Sequence, residues 1–180
     1  MRKLFYSGIA LLSLYSLSSC KQKQENNDII VEKIVEKPQD SAITSPSKES
    51  SGSVKWVNGD DYTYSIHISA DNELPEVTIG GETYKDNSAK LSVKRSDGTE
   101  FFAGTFTKNS FSGLLTNDIR QNGALVGFAF DHADESHLYF VVSIGSPDES
   151  SEQFALVQLI VDRMGTTSVA AYTPDDIPNE

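Results

Sequence analysis

Hydrophobic and polar residues alternate with a period of two through most of the chain after residue 53. This is the pattern of β-strands that bury one face. Tyr62, Tyr64, Ile66 and Ile68, for example, alternate with polar residues. The dipeptides Asn-Gly at 58–59 and Gly-Gly at 80–81 are typical of tight hairpin turns. The pattern therefore predicts short antiparallel strands that follow one another closely along the chain.

One segment breaks this period. Phe111, Leu114, Leu115 and Ile119 have the spacing of one helix face. Residues 154–161 are apolar on both faces, which indicates a central strand covered on both sides. We predict a mainly β protein: a single antiparallel β-sandwich or partly closed barrel of about eight or nine strands, with one short helix near residues 108–121.

The N-terminus resembles a bacterial lipoprotein signal. Arg2 and Lys3 precede an apolar run, 4–17, and Ser18-Ser19 leads to Cys20, the only cysteine in the chain. The run is shorter than the ~20 residues that a membrane-spanning helix needs, and its basic start and small-residue end are typical of a removable signal. The lipobox that it resembles carries diacylglycerol on the cysteine, so Cys20 is the predicted lipid-attachment residue. An ordinary secretory signal with an incidental Cys20 is the alternative.

Composition divides the remaining chain. Residues 21–52 are polar and rich in serine, and such a composition buries too little apolar surface to offset chain entropy. Their apolar stretch 29–35 leaves open a helical turn or a strand that docks on the domain. We predict a lipoprotein signal peptide at 1–19, a lipidated flexible tether at 20–52, a β domain at 53–173 and an acidic tail at 174–180.

A tripeptide in the predicted tether resembles a modification site. Asp40-Ser41-Ala42 has the form of the acceptor for general O-glycosylation in Bacteroidetes. The resemblance makes Ser41 a candidate glycosylation site in an exposed linker.

Charge restricts the choice of partners. The chain holds 15 Lys and Arg against 26 Asp and Glu. Signal removal would delete Arg2 and Lys3, so the mature balance is 13 − 26 = −13. A surface this acidic repels nucleic acid, and we predict no nucleic-acid partner.

The segment Asp131–His137 is the densest cluster of potential metal ligands. It contains His132, Asp134 and His137, and imidazole and carboxylate groups both bind divalent metals. The spacing matches no known metal motif, and strands flank the segment on both sides. A solvated hairpin turn is therefore the favoured interpretation. These three residues stay weak metal candidates, and the prediction is that no metal is bound.

No other motif predicts chemistry. The acidic loop 146–152 lacks the ligand spacing and glycine of an EF-hand. The chain has no Gly-x-Ser-x-Gly nucleophile motif and no glycine-rich phosphate loop. We predict no catalytic residue and no cofactor, although paired carboxylates for glycoside hydrolysis are not recognisable from sequence. Aromatic residues at strand spacing either form the core or line a ligand cavity; they are Trp56, Tyr62, Tyr64, Phe101, Phe102, Phe106, Phe128, Phe130, Tyr139 and Phe140.

Several short motifs in the predicted domain resemble a lipoprotein family from Bacteroidetes that is catalogued only as a domain of unknown function. They are Tyr62-Thr63-Tyr64, Leu74-Pro75, Tyr84-Lys85-Asp86-Asn87, Arg95-Ser96-Asp97-Gly98, Phe101-Phe102, the run 105–111 and Gly145-Ser146-Pro147-Asp148. The resemblance covers about 100 residues and implies a lipoprotein with an all-β or α+β fold. It implies no catalytic residue, since the family carries no known activity.

These observations predict a lipid-anchored envelope protein, not an enzyme, that is a binding or structural module. The alternatives are a carrier for a small apolar ligand or a hydrolase that uses paired carboxylates. Its expected partners are the membrane, through the N-terminal lipid, and an unknown protein or small molecule. No Asp follows Cys20 directly, so the usual inner-membrane retention signal is missing. We predict the outer membrane, with the periplasmic side favoured over the cell surface.

Overall fold

A computed structural model describes residues 41–148, 151 and 153–173. The predicted signal peptide, Cys20, most of the tether and the acidic tail lie outside these residues. The described chain contains ten strands, in chain order β1 Lys48–Trp56, β2 Asp60–Ala70, β3 Val77–Ile79, β4 Glu82–Tyr84, β5 Asn87–Arg95, β6 Glu100–Thr107, β7 Ala124–Ala133, β8 His137–Gly145, β9 Phe154–Asp162 and β10 Thr167–Ala171. Short 3₁₀ helices occupy Val57–Gly59 and Lys108–Leu114, and the α-helix α1 spans Asn117–Asn122.

The strands form two four-stranded antiparallel sheets and one hairpin. The first sheet has the order β1-β2-β5-β6, the second has the order β10-β9-β8-β7, and β3 pairs with β4. The predicted mainly β antiparallel fold is confirmed. Of the two predicted forms it is the sandwich, since the described strands form separate sheets and not one closed sheet, and there are ten strands where about eight or nine were expected.

The core lies between the two larger sheets. Ile66 and Leu91 of the first sheet and Phe140 and Leu159 of the second are at most 2 % exposed. Aromatic contacts also cross between the sheets: Tyr64 stacks on Phe130 at 4.8 Å between ring centroids. Of the ten aromatics expected either to form the core or to line a cavity, nine belong to this core or pack against it, and only Tyr139 does not. Burying side chains of this size stabilises the fold by about 1.5–3 kcal/mol each.

The first strand begins upstream of residue 53, where the sequence places the start of the β domain. β1 starts at Lys48, and residues 48–52 pair with 64–68 of β2. Still earlier, Ile43 accepts a hydrogen bond from Lys85 N (2.9 Å) and donates one to Thr83 O (2.8 Å). Residues 48–52 lack apolar alternation, so the hydrophobic pattern does not reveal that they pair with β2. A Cβ on Gly52 would lie 2.4 Å from the Tyr64 hydroxyl, so a larger residue there would have to displace the Tyr64 side chain.

The predicted helix over 108–121 is divided into two pieces. The 3₁₀ helix Lys108–Leu114 ends before Leu115, whose backbone is extended, and Thr116 then caps α1 by accepting a hydrogen bond from Ile119 N at 3.4 Å. Phe111 and Leu115 enter the core, whereas Leu114 is 39 % exposed. Extended backbone at Leu115 and Thr116 therefore interrupts a pattern that has the spacing of one continuous helix. No helix in the described part of the chain is long and apolar enough to cross a membrane.

β9 differs from the prediction of a strand covered on both sides. Val157, Leu159 and Val161 are buried between the sheets. Leu156, Gln158 and Ile160 face outward and are only half-buried. Apolar neighbours in the register, such as Val141 opposite Gln158, provide this partial cover. The outer side of β9 is therefore apolar in part, with Leu156 and Ile160, but it is not buried as the inner side is.

Candidate functional site

The candidate metal residues form a hydrogen-bonded turn between β7 and β8. Oδ1 of Asp134 accepts hydrogen bonds from Ser136 N and His137 N, both at 2.6 Å, and Oδ2 accepts one from the Tyr139 hydroxyl at 2.8 Å. Burial by itself would raise the pKa of Asp134, but these hydrogen bonds outweigh it and lower the pKa to about 2. The carboxylate therefore closes the turn.

The two histidines do not converge on a common point with Asp134. His132 stacks on Tyr139 at 4.3 Å, and its Nδ1 lies 3.0 Å from Asp131 Oδ2. His137 Nδ1 lies 3.4 Å from Asp134 Oδ2. Within the described ranges, no group of three or more His, Cys, Asp or Glu side chains is arranged to hold a metal ion.

The other sequence candidates have simple surroundings. Ser41 is exposed, so its hydroxyl is accessible, but nothing tests its modification. Cys20 lies outside the described residues. In the acidic loop, Asp148 N donates to Ser146 Oγ at 3.2 Å, and Ser151 N donates to Asp148 O at 3.0 Å. The described part of this loop is organised by its own hydrogen bonds.

A cleft of about 520 Å³ lies at one end of the sandwich. It lies where the two larger sheets meet: the first sheet contributes the start of β1, the end of β2 and the start of β5, and the second contributes the first residues of β7 and β9. The segment 43–48 forms one wall, and the loop that includes Ser146–Asp148 forms another. Its floor is mostly apolar, with Ile68 and Tyr84, whereas its walls and rim carry polar groups, most of them hydroxyls. The lining residues are Ile43, Thr44, Ser45, Pro46, Lys48, Ile68, Tyr84, Asn87, Val126, Gly127, Ser143, Ser146, Pro147, Asp148, Ser151 and Phe154.

The burial of the lining residues shows how deep the cleft is. Ile68, Tyr84 and Asn87 at its floor are at most 7 % exposed, whereas Ile43 and Phe154 are 44 % and 52 % exposed. The Tyr84 hydroxyl donates to Glu82 Oε2 at 2.6 Å, and this hydrogen bond raises the pKa of Tyr84 to about 12. The phenol is therefore neutral at physiological pH. Large exposed apolar side chains around a sheltered apolar floor are typical of small-molecule sites.

A buried polar network fixes one side of the floor. Asn87 Nδ2 donates to Leu125 O at 2.7 Å, and Asp86 Oδ1 accepts from Leu125 N at 3.0 Å. Asp86 Oδ2 also lies 3.4 Å from Lys108 Nζ, which donates to Gly123 O at 2.5 Å. The network joins the start of β5 to the start of β7, so the floor is held by both sheets.

Sequence reasoning found neither the cleft nor this network. The signal for the network was the polar pair Asp86-Asn87 directly before the apolar alternation of β5. In the sequence, the motif Tyr84-Lys85-Asp86-Asn87 indicates only a family resemblance. Its distant partner Lys108 carries no local signal.

The comparisons with known proteins identify a domain of unknown function, which is one part of that resemblance. A family described as Domain of unknown function (DUF4738) matches residues 28–169. The chain belongs to the DUF4738 family. The match extends from upstream of β1 into β10, so it covers almost the whole described DUF4738 fold. No curated protein matches the chain.

Proposed function

We propose that this DUF4738 protein is a lipid-anchored envelope protein whose β domain is a non-enzymatic binding module. The end cleft is the proposed site. Its volume of about 520 Å³, its apolar floor and its polar rim are the observation that carries the proposal. Of the functions that the sequence predicts, this geometry favours a carrier of a small, largely apolar ligand.

The cleft has the features that such a carrier needs. Ile68 and Tyr84 offer apolar surface that is already withdrawn from water, so a ligand fills a preformed site. Ser45, Ser146 and Ser151 at the rim provide hydroxyl groups that orient a polar end. Asn87 has its amide nitrogen engaged by Leu125 O, which keeps the floor in place.

The anchor is supported by the sequence. The basic start, short apolar run and Ser-Ser-Cys ending favour lipidation at Cys20, and the resemblance favours a Bacteroidetes lipoprotein. Cys20→Ala should release the protein from membranes or block its processing. Membrane fractionation after metabolic labelling with a fatty acid tests this. An unchanged, labelled, membrane-bound pool in the variant would contradict the lipid anchor.

The residue after Cys20 also bears on which membrane carries the protein. We infer the outer membrane with the domain on the periplasmic side, because Lys21 and not Asp follows Cys20. Protease treatment of intact cells decides between the two sides. Loss of the domain from intact cells would place it on the cell surface instead.

The binding site is tested with N-phenyl-1-naphthylamine, an uncharged fluorophore that brightens in apolar surroundings. The lipid-free mature chain should bind it saturably. Ser45→Trp fills the cleft and should weaken binding at least about tenfold, or about 1.4 kcal/mol. Ser168→Trp is the matched control, because Ser168 is exposed on β10 and does not line the cleft.

Two outcomes would contradict the carrier. The first is the absence of saturable binding to the mature chain. The second is equal weakening by Ser45→Trp and Ser168→Trp, which would place the fluorophore elsewhere. Turnover of a glycoside substrate by the same preparation would instead favour the hydrolase with paired carboxylates.

A further inference from the structure

β1 is the longest uninterrupted open edge of the described sandwich. It pairs with β2 on one side only, and all nine of its residues stay in register with that strand. The register of the outer strands β6 and β7 is interrupted, and the outer strand β10 has only five residues. Bulges and short length discourage an edge strand from pairing with another chain, so β1 is the described edge best suited to such pairing.

The open edge of β1 is accessible. The nearest outer strand of the second sheet, β7, packs mainly against β5 and β2, so β1 projects beyond it. Residues 48–51 of β1 are all exposed, and Trp56 at the other end is the one buried residue of the strand. A second strand can therefore approach this edge without meeting the second sheet.

The charges on β1 complement those of a second copy in one register. Charged side chains on an edge usually prevent pairing with another chain. A twofold axis at Gly52, the middle residue of β1, pairs the strand with its copy over its full length. The same axis sets Glu49 opposite the partner's Lys55, and Lys55 opposite the partner's Glu49. Moving the axis by one residue in either direction removes both of these matches.

The remaining pairs in this register allow close approach. Ser51 faces the partner's Ser53, and Gly52 faces the partner's Gly52, so no large side chain crowds the axis. Alternation along the strand places Glu49, Ser51, Ser53 and Lys55 on one face of the sheet, so the opposed charges share a face. Opposite charges directly across two antiparallel strands stabilise the pairing.

We propose that two copies of this chain pair through β1 about a twofold axis at Gly52, which joins their first sheets into one antiparallel sheet of eight strands. Such a contact is closed, because each copy uses the same edge. A pair of nine-residue strands is about 30 Å long and buries less than the roughly 800 Å² per partner of a standard stable interface. The pair is therefore weak and dissociates on dilution. The inference goes beyond the proposed binding module, since it depends on neither the end cleft nor the lipid.

Disulfide trapping detects such a weak pair and reports its register. The lipid-free mature chain with Cys20→Ser contains no cysteine, so Ser51→Cys is introduced in one preparation and Ser53→Cys in another. In the mixture the two thiols lie directly opposite, within the roughly 7 Å between Cα atoms that a disulfide spans. In either variant alone they lie diagonally, about 7–8 Å apart. In a glutathione redox buffer, the mixture should form at least about fivefold more disulfide-linked dimer than either variant alone.

Charge reversal tests the two ion pairs. Glu49→Lys in both preparations sets two lysines opposite each other and should reduce trapping at least about threefold. Adding Lys55→Glu restores opposite charges with the original net charge, and should restore trapping. Fluorescence of the buried Trp56 confirms that each variant is folded. Equal trapping in the mixture and in the single variants, stronger trapping in one single variant, or no recovery in the charge-reversed chain would each overturn the proposal.

Discussion

The buried ion pair between Asp86 and Lys108 provides the sharpest test of how this sandwich is held together. The two side chains are only 4 % and 10 % exposed, and Asp86 Oδ2 lies 3.4 Å from Lys108 Nζ. Lys108→Met keeps an unbranched side chain of similar length but removes the charge. It leaves Asp86 with a buried negative charge and removes the hydrogen bond to Gly123 O.

The expected cost follows from those two losses. Removing one partner of a buried pair typically costs about 3–5 kcal/mol, because the remaining charge is uncompensated. Asp86 keeps hydrogen bonds from Asn87 N (2.8 Å) and Leu125 N (3.0 Å), which favours the lower half of that range. A loss of about 3–4 kcal/mol is a large fraction of the 5–15 kcal/mol that stabilises a typical domain.

Urea unfolding measures the change, because the chain has a single tryptophan, Trp56, which is 4 % exposed and reports on the core. Lys55→Met is the control. It removes an exposed ion pair with Asp61 and should cost at most about 0.5 kcal/mol. A loss below about 1 kcal/mol for Lys108→Met would refute the reasoning, since it would mean that water reaches the Asp86 carboxylate.

Two further predictions concern the turn at Asp134 and the start of the domain. The folded-state pKa of Asp134, about 2, lies below its ordinary value of 3.8, so its contribution to stability is present above pH 3.8 and is lost as pH falls towards 2. In Asp134→Asn, the free energy of unfolding should fall less steeply between pH 3.8 and 2, as measured by urea titrations at several pH values. An unchanged fall would mean that other carboxylates cause it. Fragment 41–173 should unfold cooperatively, and fragment 53–173 should melt at least about 5 °C lower by circular dichroism, because it lacks half of β1. Equal melting temperatures would mean that residues 41–52 contribute nothing.

Alternation of apolar residues was enough to predict most of this fold. β2 and β5 were predictable because their inward residues, such as Ile66 and Leu91, recur at every second position. The first half of β1 was not, because its side chains are polar and show no apolar alternation. The outer face of β9 was misjudged for a related reason. Ile160 is apolar and only half-buried, so hydrophobicity did not reveal which element, if any, covers it.

The candidate sites were less predictable than the fold. The end cleft draws Ile43, Ile68, Tyr84, Val126 and Phe154 from separate parts of the chain, and no local pattern joins them. The local cluster at 131–137, by contrast, is recognisable because its potential metal ligands are adjacent in sequence. Adjacent side chains on a turn bond one another and the turn backbone, as Asp134 does, and this satisfies the same atoms that a metal would need.

The position of Asp86 beside Asn87 links stability to the proposed binding site. Asp86 belongs to the ion pair with Lys108, whereas the next residue, Asn87, forms part of the cleft floor. A variant that breaks the pair therefore disturbs the floor as well, and a loss of ligand binding in Lys108→Met would not identify the cleft as the site. Ser45 lies at the rim, outside the polar network, so Ser45→Trp changes the cleft while leaving the ion pair intact. Ser45→Trp should therefore lose ligand binding while its free energy of unfolding stays unchanged. That result would show that the ligand occupies the cleft, because the sandwich itself would be intact.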